Sequence, residues 1–79
     1  MSDADALALL RLLDANEGAS TARIGKRLDL DRSRLQRLLS ALGEDSAIGG
    51  LGLVAVRHDG ARTRVFLTES GRRFLQEGR

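Results

Sequence analysis

Apolar residues between Asp31 and Gly43 recur at the spacing of a helix. Four leucines stand at i, i+3, i+4 and i+7, a spacing that places them on one stripe of an α-helix. They are Leu35, Leu38, Leu39 and Leu42. Asp31 precedes the first turn, where an N-cap is expected, and Gly43 stands where a left-handed glycine commonly ends a helix. The pattern predicts an amphipathic helix with one face for the core and one face for a partner.

A shorter helix is predicted just before it, over residues 20–28, with Ser20 as its N-cap and Ile24 facing inward. Only Asp29-Leu30-Asp31 separates the two helices, and Leu30 is the expected apolar plug of the turn. Two short helices joined so closely predict a helix-turn-helix over about residues 20–43. In that motif the second helix enters the major groove of DNA.

The first helix, predicted over residues 3–16, has apolar positions around much of its circumference. Ala6, Leu10 and Leu13 form one face, and Leu9 and Leu12 form an adjoining face. Two interpretations stay open and can hold together, because surface helices usually show a narrower apolar stripe. In one, this helix is central and has two neighbours within the domain; in the other, Leu9 and Leu12 form the contact of a homodimer.

Residues 53–67 contain Asp59-Gly60 between two β-prone runs, which predicts a hairpin with a tight turn. A turn centred there pairs Arg57 with Arg62, Ala55 with Arg64, Val54 with Val65 and Val56 with Thr63. One face then presents Val54, Val56, Val65 and Leu67 to the core. The other face gathers Arg57, Arg62 and Arg64 with no carboxylate to offset them, which leaves either a polyanion partner or a solvated face.

The segment GEDSAIGGLG, between the long helix and the hairpin, lacks any periodicity and predicts a loop anchored by Ile48 and Leu51. A phosphate cradle is disfavoured there, because no GK[ST] sequence follows the glycines. Thr68 is expected to cap a last short helix, in which Gly71, Phe74 and Leu75 pack against the bundle.

Composition limits the classes of function. Seventy-nine residues make a single domain, 1–79, with no cysteine and only one histidine, His58. No metal site, cofactor or catalytic constellation can be assembled from such a set, so we expect a protein that is not an enzyme. No apolar run approaches the ~20 residues that span a bilayer, so we expect a soluble, cytoplasmic protein without a membrane partner.

Charge is unevenly distributed along the chain. Residues 1–17 carry a net charge of −3, whereas residues 20–43 carry six basic and two acidic side chains, a net charge of +4. The basic middle of the chain coincides with the predicted helix-turn-helix, which favours double-stranded DNA as the partner.

The order of the predicted elements is that of a winged helix-turn-helix. This fold is mostly α with a small β-hairpin (α+β): a three-helix bundle, a two-stranded wing at about 53–67 and a short C-terminal helix. STARIGKRLDLDRSRLQRLLSAL resembles the helix-turn-helix of MarR-like transcriptional regulators, and VFLTESGRRFL resembles the strand-to-helix phrase of that family. The resemblance covers roughly residues 20–75 and implies sequence-specific DNA binding in transcription regulation.

The expected DNA-binding residues are polar or basic and lie on the two predicted helices and the wing. By the resemblance, Ser33, Arg34, Gln36 and Arg37 take base- and phosphate-contacting positions, and Arg62 and Arg64 take wing positions. The whole set is Arg23, Lys26, Arg27, Arg32, Ser33, Arg34, Gln36, Arg37, Arg57, Arg62 and Arg64.

Two departures from the family pattern and one alternative function remain. GEDSAIGGLG adds about half a dozen residues before the wing, and the last helix is shorter than the terminal helices through which family members dimerise and frame an effector pocket. An effector pocket is therefore not expected, and a dimer would use the first helix. The alternative function is a winged-helix protein-interaction module in a larger assembly, since fold does not fix function.

Overall fold

The structure, a computed structural model, describes residues 3–44 and 49–77. Within these ranges the elements are helix α1 (Asp3–Ala15), strand β1 (Ala19–Ser20), helix α2 (Thr21–Leu28), helix α3 (Arg32–Leu42), strands β2 (Val54–Asp59) and β3 (Arg62–Leu67), and helix α4 (Glu69–Glu77). The strands form one antiparallel sheet in the order β1-β3-β2. The predicted α+β winged helix-turn-helix is confirmed, and the short strand β1 is an addition that the sequence pattern did not indicate.

The turn between α2 and α3 is built from local backbone preferences. Ser20 Oγ accepts a hydrogen bond from the amide of Arg23 at 3.2 Å, so it caps α2 as predicted. Asp29 ends α2 in the left-handed region, with φ 54° and ψ 49°, which aspartate tolerates better than most residues. The amide of Leu30 then donates to the Gly25 carbonyl at 2.9 Å. Leu30 is half-buried and packs against the core, which confirms it as the plug of the turn.

The core lies between α1, the helix-turn-helix and one face of the sheet. Leu9, Leu10 and Leu13 of α1 are each at most 1% exposed, and α1 contacts α2, α3, α4 and β3. The central-helix interpretation is therefore right for Leu9. The prediction of Leu9 as part of a homodimer surface is wrong, because its side chain is buried in the core of its own chain. Leu12 is only half-buried.

The hairpin turn lies one residue later than predicted, at Gly60-Ala61. The observed pairs are Val54 with Leu67, Ala55 with Phe66, Val56 with Val65, Arg57 with Arg64, His58 with Thr63 and Asp59 with Arg62. Gly60 has φ 61°, whereas Asp59 has no positive φ, so the turn has glycine at its first central position, as in type II′. An Asp59-Gly60 type I′ turn would require a positive φ at Asp59 as well.

This change shifts every predicted pair by two residues and so keeps each side chain on its predicted face. Val54, Val65 and Leu67 are buried and Val56 is half-buried, so the core face is confirmed.

The end of α3 differs from the prediction. Gly43 is extended, with φ −74° and ψ −175°, and is not a left-handed stop. This position favours glycine for another reason, since a Cβ there would lie 2.7 Å from the Leu39 carbonyl oxygen. Leu51 is 65% exposed, so its predicted role as a loop anchor is wrong. The other predicted anchor, Ile48, lies outside the described residues.

The backbone of residues 51–53 closes α3 instead. The amides of Leu51, Gly52 and Leu53 donate to the carbonyls of Ala41, Gly43 and Leu42 at 3.0, 2.7 and 2.8 Å, respectively. These bonds satisfy carbonyl groups that a helix end leaves without partners. We call residues 51–53 the strap, because they join the end of α3 to the start of the hairpin.

Helix α4 begins as predicted. Thr68 Oγ1 accepts from the amide of Gly71 at 3.0 Å and donates to the Gly52 carbonyl at 2.7 Å, so this residue caps α4 and ties it to the strap. Gly71 and Leu75 are buried as expected. Phe74 is 48% exposed, which contradicts its predicted packing, because the stripe of α4 that meets the core runs from Gly71 to Leu75 and leaves Phe74 at its margin.

Substitution of Gly71 tests how closely α4 is packed. A Cβ there would overlap the carbonyl oxygen of Leu53 and lie 2.6 Å from Cδ1 of Leu67. Helix propensity alone would make Gly71→Ala stabilising, whereas overpacking typically costs about 1–3 kcal/mol. We expect chemical denaturation to show a loss of that size. Ser70→Ala, an exposed neighbour in α4, is the control and should change stability by less than about 0.5 kcal/mol.

Candidate nucleic-acid interface

Helix α3 is fixed at its start by its cap and along its length by its leucines. The Asp31 carboxylate accepts a hydrogen bond from the amide of Arg34 at 2.8 Å, which confirms Asp31 as the N-cap. Leu35, Leu38 and Leu42 are buried, and Leu39 is half-buried. The polar side chains of the other face are exposed. They are Arg32, Ser33, Arg34, Gln36, Arg37 and Ser40.

An open cleft of about 1020 Å³ separates α3 from the wing. Leu30, Leu35, Leu39 and Val56 give it an apolar floor. The polar side chains around it come from α2, α3, the hairpin and the residue after Gly43. They are Thr21, Lys26, Arg32, Gln36, Ser40, Glu44, His58 and Thr63. The cleft therefore brings together Lys26, Arg32 and Gln36 of the predicted set.

Arg57 and Arg64 oppose each other on the second face of the hairpin, but each has a carboxylate partner. Arg57 Nη1 lies 3.1 Å from Glu44 Oε1, and Arg64 Nε lies 3.4 Å from Asp59 Oδ2. The prediction that no carboxylate offsets the arginines of this face is therefore wrong. Asp59 was missed because the mistaken turn placed it in the loop, and Glu44 was missed because its proximity depends on the strap.

Arg64 also has a structural bond. Its Nη1 donates to the Gly18 carbonyl at 3.1 Å, and its side chain is only 39% exposed. The guanidinium thus links the hairpin to the residue just before β1. Arg62, opposite Asp59 near the tip of the wing, is exposed and has no ion pair within residues 3–44 and 49–77.

The other basic residues of the predicted set are exposed. Arg34 Nε lies 3.8 Å from Asp31 Oδ2, a long contact between side chains that are 70% and 64% exposed. Within the described part of the chain, the remaining basic residues of the set form no ion pair. They are Arg23, Lys26, Arg27, Arg32 and Arg37. Side chains of this kind are free to contact an anionic partner.

Within the described ranges, no group of three or more histidine, cysteine, aspartate or glutamate residues is placed to hold a metal ion. Nor does any helix there have the length and apolar character needed to cross a membrane.

Comparison with known proteins gives structural matches only. No protein-family model matches the chain, and no curated protein matches it. Among solved structures, the PcaV transcriptional regulator from Streptomyces coelicolor is 30% identical with a TM-score of 0.79. A MarR-family transcriptional regulator from Silicibacter pomeroyi is 32% identical with a TM-score of 0.74. The fold is that of a MarR-like winged helix.

The MarR-like winged helix accounts for only part of those regulators. The match covers 92% of this chain and 52% of PcaV, and 98% of this chain and 49% of the Silicibacter protein. The chain thus spans about half the length of both. A putative DNA-binding protein from Ralstonia eutropha, 25% identical with a TM-score of 0.71, is instead matched over 96% of its own length and 98% of this chain.

Replacing Asp31 tests the cap that begins α3 of this MarR-like winged helix. Because alanine cannot accept the bond from the Arg34 amide, Asp31→Ala should lower the free energy of unfolding by about 0.5–2 kcal/mol in denaturant titrations. Asp31→Asn is the matched control, since it loses the charge but keeps an N-cap acceptor, and it should stay near wild type. Equal losses in both variants would assign the effect to the charge.

Proposed function

We propose that the chain is a sequence-specific, double-stranded DNA-binding domain of a transcriptional regulator. One observation carries the proposal. The leucine stripe of α3 is buried, so its opposite face presents Ser33, Gln36 and Arg37 to solvent with no carboxylate after the cap. Arginine and glutamine are the side chains that read guanine and adenine bidentately in the major groove.

Base reading is assigned to α3. Arg37 and Gln36 lie on the exposed face within its middle turns, and Ser33 and Arg34 lie in its first turn. In helix-turn-helix proteins the N-terminal part of the second helix contacts base edges. Arg37 is the strongest candidate for a guanine contact, because Arg34 lies beside the Asp31 carboxylate.

Backbone contacts are assigned to the side chains around α3. Lys26 and Arg32 border the cleft between α3 and the wing, and Arg62 extends near the wing tip. Arg23, Arg27, Arg57 and Arg64 complete the proposed set, with the last two held by carboxylates in the free protein. Contacts of this kind position a protein on DNA but do not read sequence.

The names of the similar structures support the regulatory role. Those from Streptomyces and Silicibacter are transcriptional regulators, and the Ralstonia protein of similar length is a putative DNA-binding protein.

We propose a homodimer as the bound form, with Leu12 as the part of the predicted α1 contact that stays partly accessible. Two half-sites about one helical turn apart in selected DNA would support it.

A protein-interaction module is the second candidate. Phe74 and Leu51 are large apolar side chains that are 48% and 65% exposed, and neither belongs to the proposed DNA face.

Duplex binding distinguishes the DNA-binding function from the protein-interaction function. A DNA-binding domain should bind a mixed-sequence duplex at ~50 mM salt and weaken steeply by ~200 mM, whereas an interaction module should show no binding at either concentration.

Arg37→Ala tests base reading. Loss of a bidentate contact should cost about 1–3 kcal/mol on the preferred site and relax the preference at one base pair. Selection from random duplexes, followed by titration of the selected site, measures both effects. Arg73→Ala on α4 removes the same charge far along the chain and is the control. Unchanged affinity and unchanged preference in Arg37→Ala would remove α3 from the interface.

Arg62→Ala tests the wing. Because a phosphate contact carries no sequence information, this variant should weaken preferred and random duplexes by the same factor. The slope of log affinity against log salt should fall by about one unit. A salt series by fluorescence anisotropy gives that slope. An unchanged slope would show that the wing tip does not contact phosphates.

A further inference from the structure

Arg57 is folded back in the free protein. Its Nη1 atom donates to Glu44 Oε1 at 3.1 Å and to the carbonyl of Val56, its preceding residue in β2, at 3.0 Å. Two acceptors thus hold one guanidinium nitrogen. The side chains of Arg57 and Glu44 are 60% and 51% exposed, so solvent and larger partners can reach both groups.

The carboxylate partner is presented from a fixed position. Glu44 directly follows Gly43, whose carbonyl accepts the Gly52 amide at 2.7 Å. The strap therefore holds the chain immediately before Glu44, at the end of α3 and beside the start of β2. Placement of Glu44 next to Arg57 follows from these backbone bonds.

Glu44 lines the cleft between α3 and the wing. Under the function proposed above, a DNA strand contacted by both elements passes along this cleft, which Lys26 and Arg32 border with positive charge. Among the described residues that line this cleft, Glu44 alone carries a negative charge. A phosphate close to Glu44 would be repelled by its carboxylate and would compete with that carboxylate for Arg57, which lies beside Glu44 and does not itself line the cleft.

From these contacts we propose that Glu44 is an electrostatic latch that withholds Arg57 from DNA and limits the affinity for duplexes of any sequence. The proposal rests on the DNA-binding function proposed above. Exposed ion pairs are weak and screened by salt, so the phosphates of a bound duplex can displace the carboxylate. Release of Arg57 then adds one phosphate contact. Glu44 is a positioning residue, since it acts through Arg57.

Glu44→Gln removes the charge and nearly keeps the size of the side chain. This variant should bind a labelled mixed-sequence duplex about three- to tenfold more tightly at ~100 mM salt. Glu69→Gln is the matched control, because Glu69 is also exposed and paired with an arginine, Arg73, at 3.3 Å on α4. Its affinity should change by less than about twofold.

A double-mutant cycle separates the latch from simple repulsion between Glu44 and DNA. If Glu44 acts through Arg57, the gain from Glu44→Gln should disappear in the Arg57→Ala background. An equal gain with and without Arg57, or equal effects of Glu44→Gln and Glu69→Gln, would overturn the latch and leave the DNA-binding function standing. Absence of binding by the wild-type chain at ~50 mM salt would overturn both proposals.

Discussion

Burial of one leucine stripe of α3 is the constraint on which the remaining structure depends. Leu38 and Leu42 are at most 2% exposed and belong to the same core as Leu9, Leu10 and Leu13 of α1. Truncation of a fully buried leucine typically costs about 2–5 kcal/mol, a large share of the stability of so small a domain. This burial fixes the rotation of α3 about its axis, and the polar face must then point outward.

The strap holds the wing in a fixed position relative to α3. Its three amides donate to the last two carbonyls of α3 and to the carbonyl of Gly43, and the Gly52 and Leu53 carbonyls accept hydrogen bonds from Thr68 at the start of α4. The end of α3, the start of β2 and the start of α4 therefore meet at one point. Because this junction is held by backbone bonds, the distance between helix and wing does not depend on the exposed ion pair of Arg57.

Features set by neighbours in sequence could be predicted from the sequence. The caps Ser20, Asp31 and Thr68 bond to amides three residues later, and the leucine spacing of α3 alone defines its buried face. The hairpin turn was misplaced because a turn at Asp59-Gly60 and a turn at Gly60-Ala61 both have a positive φ at Gly60. The two turns differ in the φ of Asp59, which would be positive in the first and is not positive in the structure.

Features set by contacts distant in sequence could not be predicted. Gly43 is extended because the strap pairs with it, and the carboxylate partner of Arg57 comes from Glu44, thirteen residues earlier. If the exposed face of α3 and the wing form one DNA interface, amide chemical-shift mapping during titration with duplex DNA should show changes concentrated in residues 33–40 and 57–64. Changes centred on Leu12 and Phe74 would contradict that interface.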